Sequence, residues 1–157
     1  MNDQVKINEI APALTAKQAE NMITTNLPPI DHHGEIVEQV GRNSIRVRLP
    51  YDRGFMGTEP WQDGSGQVFS GPMVMGFADT TMYCCVMAAM GADVIPVMAN
   101  LNITFLRPAR AADLIAEARI VRSARSARRK SRFPRVYAWR RTESRSRNRH
   151  SCPSTVF

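Results

Sequence analysis

The stretch from Val68 to Ala92 reads VFSGPMVMGFADTTMYCCVMAAMGA, and its reading decides the fold. Asp79 is its single Asp, Glu, Lys or Arg residue. Within it Met73–Met90 runs for 18 residues and is apolar nearly all round. That length would permit a transmembrane span. An Asp at its middle is costly in lipid, and the chain holds no second run of this kind. A helix buried inside a soluble fold therefore fits better. Gly71-Pro72 opens it, with proline in the first turn, and Gly91 closes it.

On the N-terminal side two short runs alternate polar and apolar residues. Glu35–Val40 (EIVEQV) and Ser44–Leu49 (SIRVRL) each bury one face, and Gly41-Arg42-Asn43 supplies the turn of a hairpin. Before them, residues 1–30 read as a polar leader with a short helix over Ala16–Thr24, ended by Leu27-Pro28-Pro29. Residues 50–67 are loop-like, punctuated by Pro50, Gly54, Gly57, Pro60, Gly64 and Gly66. On the C-terminal side Asp93–Arg107 (DVIPVMANLNITFLR) reads as a strand region ended by Pro108. Ala112–Val121 (ADLIAEARIV) puts Leu114, Ala116, Ala118 and Ile120 on one face and reads as the next antiparallel strand, although its Ala and Glu content would also allow a helix.

The chain is 157 residues long, 43% apolar and 22% charged, which bounds it to one ordinary globular domain. Three cysteines, two of them adjacent, cannot form a disulfide framework, and MNDQVKINEI has no apolar core of a signal peptide. A reduced, cytoplasmic protein is the expectation. Charge is uneven. Residues 1–121 hold 9 basic and 13 acidic residues, whereas residues 122–157 hold 12 basic residues and one acid, Glu143. After Gly91 no glycine occurs, and past Arg122 no sustained period and no packed element can be read.

Two features of the apolar helix can carry chemistry. A carboxylate buried at Asp79 must be paired, hydrogen-bonded or functional, and its helical neighbours Met75, Gly76, Met82 and Tyr83 offer no cation. Desolvation would raise its pKa, as suits a general base or nucleophile. The alternative is an Asp bonded to a neighbouring loop or hydroxyl. Ser70-Gly71-Pro72 places the free N–H groups of Gly71 and Met73 at the helix start, where they could polarise a carbonyl or simply cap the helix. Gly71 and Asp79 stand eight residues apart, about 12 Å of rise. If both act on one bond, they come from two antiparallel copies of the helix.

A helix that begins Ser70-Gly71-Pro72 and contains Ala78-Asp79-Thr80, followed by Asn-Leu-Asn-Ile-Thr-Phe-Leu-Arg-Pro at Asn100–Pro108, resembles the hotdog-fold acyl-CoA thioesterases of the phenylacetate-pathway type. The likeness runs from about Glu35 to Arg122. It implies an α+β hotdog domain over residues 31–122, with an antiparallel sheet around a long central helix, and a homodimer or homotetramer. It implies hydrolysis of acyl-CoA, with Asp79 activating water or attacking the carbonyl and the Gly71 N–H of the other subunit polarising it. Ser70, Pro72, Thr80, Tyr83 and Asn100 are expected to bind substrate, and no cofactor is expected. The sequence departs from the family where members begin the helix with His-Gly-Gly. Ser70 replaces that His, and Gly64 stands where members often carry an Asn.

Other side chains are weaker candidates. Asp31-His32-His33 lacks a third metal ligand at useful spacing, so no metal is expected. Cys84 and Cys85 read as core. The methionines at 73, 75, 82, 87 and 90 fill core or line an acyl pocket. The basic tail over 123–157 has three readings: a nucleic-acid arm with Tyr137 and Trp139 to stack on bases, a CoA-phosphate contact, or the right gene read in the wrong frame. A one-base shift lets Trp139–Thr142 read Gly-Asp-Gly and Asn148–Ser151 read Thr-Gly-Thr. The abrupt loss of glycine and of alternation favours this last reading over nucleic acid. C-terminal strands are then lost or altered, and low stability or aggregation is expected.

Overall fold

The computed structural model describes residues 11–57, 66–93, 95–121 and, as backbone, 139–145. Helix α1 covers Ala16–Asn26. Thr15 starts it with a complete capping box: its hydroxyl accepts from the Gln18 N–H, and the Gln18 side chain accepts from the Thr15 N–H at 2.8 Å. Leu27 ends it, ahead of Pro28 and Pro29, and a single 3-10 turn follows over Pro29–Asp31.

Strands β1 (Ile36–Gly41) and β2 (Ser44–Leu49) form the expected hairpin. Strand β3 (Asp113–Arg119) pairs antiparallel with β2, placing Val47 opposite Ala116 and Leu49 opposite Leu114. On the side of the sheet turned from the core, Arg46 is paired with Glu38 and Glu117, and Arg48 with Glu38 and Asp113. These cross-strand charges fix register more than they add stability.

Helix α2 spans Gly71–Met90 and packs on β2, β3 and α1. Proline in its first turn and Gly91 beyond its last match the limits read from the sequence. Gly91 has φ +93°, a conformation that favours glycine. Val74, Phe77, Cys84, Cys85 and Ala88 bury one side of the helix in the same core as Ile45, Val47, Leu49, Leu114 and Ala116. By length and composition α2 could cross a membrane, but more than half of it is buried inside the protein. Residues 16–30, read as a leader, dock on the domain. Ala19 and Ile23 enter the core, and Glu20 accepts a hydrogen bond from the Val37 N–H at 3.1 Å.

The structure corrects the sequence reading in two places. No strand covers residues 95–107 among the described residues. Leu101 and Ile103 turn partly inward and their neighbours outward, so the alternation is present there, but among the described residues no neighbouring strand supplies a hydrogen-bonding partner. The second correction is strand β4, Trp139–Arg145, which pairs antiparallel with β3 and shifts register between Ala116 and Ala118. Its sequence, WRRTESR, has no apolar alternation. Backbone pairing to the open edge of β3 makes the strand, and periodicity cannot reveal that. The rest of the basic tail lies outside the described residues.

Candidate active site

A cleft of about 800 Å³ opens between the end of α1, the turn that follows it, the first half of α2, Ala92 and residues 95–98. Its lining combines polar side chains, among them Asp31, His33, Asp79 and Thr80, with a larger number of apolar ones, among them Leu27, Ile30, Met73 and Val97. A mostly apolar concavity with a few convergent polar groups is the usual form of a small-molecule site.

Asp79 lies on the open side of α2. Its neighbours Ala78 and Thr80 are buried, whereas Asp79 itself is exposed to the cleft. The expectation of a fully buried carboxylate is thus corrected. An all-round apolar sequence does not show which side of a helix the sheet covers, and in this chain the sheet and α1 leave the strip with Met75, Gly76 and Asp79 open. The cleft walls still remove part of the water around the carboxyl group. That desolvation, followed by the negative charge of Asp31, holds Asp79 above the ordinary carboxylate range. Among the described residues no cation pairs with Asp79.

The other expected site residues divide. Pro72, Thr80 and Tyr83 line the cleft with Asp79. Thr80 is already engaged: its hydroxyl donates to the Asp31 carbonyl at 3.1 Å. Tyr83 accepts a hydrogen bond from the Asn26 amide at 3.1 Å, which leaves its own O–H proton free to donate. Ser70, Gly71 and Asn100 are not part of this wall. Ser70 caps α2 without a side-chain hydrogen bond, its N–H being held by the Phe55 carbonyl at 2.9 Å. Asn100 is exposed in the unpaired segment. Gly71, at the first position of α2, has no hydrogen-bond acceptor for its N–H among the described residues. Within one chain, therefore, Gly71 and Asp79 do not share a cavity, as their spacing requires.

Sequence reasoning missed the contribution of residues 22–33. Met22, Asn26, Leu27, Ile30, Asp31 and His33 form one side of the cleft. The apolar members of a segment read as a leader were the available signal. His33 packs its ring on Phe55 at 5.4 Å, and its backbone N–H donates to the Glu35 carboxylate at 2.7 Å. Among the described residues no three His, Cys, Asp or Glu side chains gather as a metal site. The methionines divide as well. Met87 is core, Met73 lines the cleft and Met75 is exposed. Cys84 and Cys85 are buried, and burial raises both thiols, Cys85 to about 12.

Residues 66–127, which include α2, Asp79 and β3, match the sequence profile of the thioesterase superfamily. No curated relative matches the chain at a significant level. Among solved structures, a Silicibacter protein assigned as a thioesterase superposes with a TM-score of 0.63 at 20% identity, over 76% of this chain and 78% of that one. A Haemophilus influenzae thioesterase gives 0.58 at 19% identity, over 71% and 72%. Zebra fish thioesterase superfamily member 2 gives 0.59 at 14% identity, over 72% and 80%. At these identities the likeness is one of fold. The chain thus has the hotdog fold, a central helix laid against an antiparallel sheet, and its segment from residue 66 to residue 127 carries the thioesterase-superfamily pattern.

Proposed function

We propose that the protein hydrolyses acyl-CoA thioesters to free acid and CoA, as a homo-oligomer. The superfamily match supports thioester hydrolysis in general. The observation that carries the finer reading is Asp79: a carboxyl group held above its ordinary range, with no cation paired to it among the described residues, in a cleft lined mostly by apolar side chains. A base of that kind accepts a proton from water near neutral pH. The water oxygen then bonds to the thioester carbonyl carbon, and the carbonyl oxygen becomes an oxyanion. The N–H of Gly71 of the partner subunit donates to that oxygen. Collapse breaks the C–S bond, and the thiolate leaves and takes up a proton. Asp79 as direct nucleophile leads to the same products through an anhydride.

Two features support a second copy. About 12 Å of helix separates Gly71 from Asp79, so one chain cannot bring both to one carbonyl. Ile95, Val97, Met98, Phe105, Leu106 and Met75 are exposed apolar side chains that a partner would cover. Ser70, where resembling enzymes carry an imidazole, favours a second reading, a hotdog protein that binds acyl-CoA without cleaving it. A thiol-release assay over a panel of acyl-CoA esters separates the two. Wild-type protein is expected to release thiol and Asp79→Asn to lose at least a hundredfold in rate. Equal rates in the two proteins remove Asp79 from the mechanism, and no release with any ester leaves only binding.

A further inference from the structure

Asp31 is the second carboxylate of the cleft, and the fold places it there through an element that the superfamily match does not include. It ends the 3-10 turn Pro29–Asp31. The hydroxyl of buried Thr80, the residue after Asp79, donates to the Asp31 backbone carbonyl at 3.1 Å. That bond ties the turn to the helix beside the proposed base. The titratable side chains lining the cleft among the described residues are Asp31, His33, Asp79 and Tyr83, and no Lys or Arg lines it.

We propose that Asp31 is a positioning residue for hydrolysis: its carboxylate, tethered beside Asp79 through Thr80, makes Asp79 a stronger proton acceptor and drives the acid product out of the cleft. This inference rests on the assignment of Asp79 as base. A second negative charge facing the same partly dehydrated space destabilises the ionised form of Asp79. The direction in which Asp79 is held, upward by burial and then by Asp31, agrees with that geometry. Hydrolysis adds a third carboxylate, that of the free acid, to the same space. Repulsion from Asp31 then favours its departure.

The test is the pH profile of kcat/KM and the inhibition by free acid in wild type, Asp31→Asn and Asp31→Glu. Asparagine keeps the backbone carbonyl to which Thr80 donates. The acid limb of Asp31→Asn is expected to move to lower pH. Where wild type has lost nine-tenths of its plateau rate, the variant should retain about threefold more of its own. Free acid should inhibit the variant more strongly, and Asp31→Glu should restore both readouts. His33 lines the same cleft, so the shift must persist in a His33→Gln background. Thr80→Val, which removes the tether and keeps both carboxylates, should move the limb the same way by less. An unmoved limb with unchanged product inhibition overturns the inference while leaving Asp79 as base. An active Asp79→Asn enzyme overturns both.

Discussion

The ring of Phe105 reaches back to the first turn of α2, where its Cζ lies 4.0 Å from the point that a Cβ on Gly71 would occupy. That is ordinary van der Waals contact, so the space admits a methyl group. Gly71→Ala is expected to fold and to melt no lower than wild type, because alanine restricts the unfolded chain. Its thioesterase rate should nonetheless fall by about tenfold or more, as a methyl group then stands between substrate and the N–H donor. A melt and a thiol-release assay on one preparation check this. Full activity would mean that no carbonyl approaches Gly71.

Asp79→Asn should lose activity and gain stability together. A carboxyl group whose folded pKa lies above its unfolded value binds more protons when folded, across the interval between the two values. Folding stability therefore falls as pH rises through that interval, and ionised Asp79 opposes folding at neutral pH. The variant should melt higher than wild type at pH 7, and the gap should close as pH is lowered towards 4. A variant melting lower at pH 7 would show that the carboxylate has a stabilising partner.

Acid should weaken the sheet by the opposite route. Burial pushes Glu38 up, but its hydrogen bonds to Arg48 and Arg46 outweigh this and hold it below the usual range. Its contribution is present above the unfolded value of 4.5 and is lost as pH falls through the lower folded value. Glu38→Gln should flatten the drop in melting temperature below about pH 4.5. An identical acid slope in the two proteins would show that the Arg46–Glu38–Arg48 cluster is inert.

Cys84 and Cys85 should resist a thiol reagent at pH 8 while the protein is folded. Both are buried, and the Cys85 thiol is raised to about 12, so almost no thiolate is present. Denaturant should expose both to modification. Peptide mapping of alkylated protein, with and without denaturant, checks this. Rapid labelling of either under native conditions would show that α2 separates from β3 readily.

Thr15→Ala should lower stability by about 1 kcal/mol, because the hydroxyl that accepts from the Gln18 N–H is lost while the backbone N–H of residue 15 can still donate to the Gln18 side chain. Since α1 supplies Met22 and Asn26 to the cleft, KM should rise before kcat falls. Unchanged melting and unchanged KM would place α1 outside the stable part of the domain.

The hairpin, the limits of α2 and strand β3 were legible because each is written in local chemistry: alternation, a proline in the first turn, a terminal glycine. Strand β4 was not, since WRRTESR has no side-chain period and the edge of β3 recruits it through backbone groups. Residues 95–107 carry a strand's alternation without a strand's ladder, which shows that the pattern records the side chains and not the partner. At the site, the lone Asp79 in an apolar run was readable. Its exposure was not, because that depends on which side of α2 the sheet leaves bare. Asp31 and His33 reach the cleft through tertiary docking of a segment whose polar sequence marks it only as surface.

Helix α2 is at once the central beam of the core and one wall of the cleft, and those duties fall on residues that touch in sequence. Adjacent positions on an α-helix differ by about 100° in azimuth. Inserting or deleting a single residue between Gly71 and Asp79 would therefore swing the carboxylate towards the sheet and turn a sealed side chain out to water. Substitutions along the helix can be absorbed one at a time, whereas its rotational phase has no tolerance, so length variation should be confined to the loops on either side.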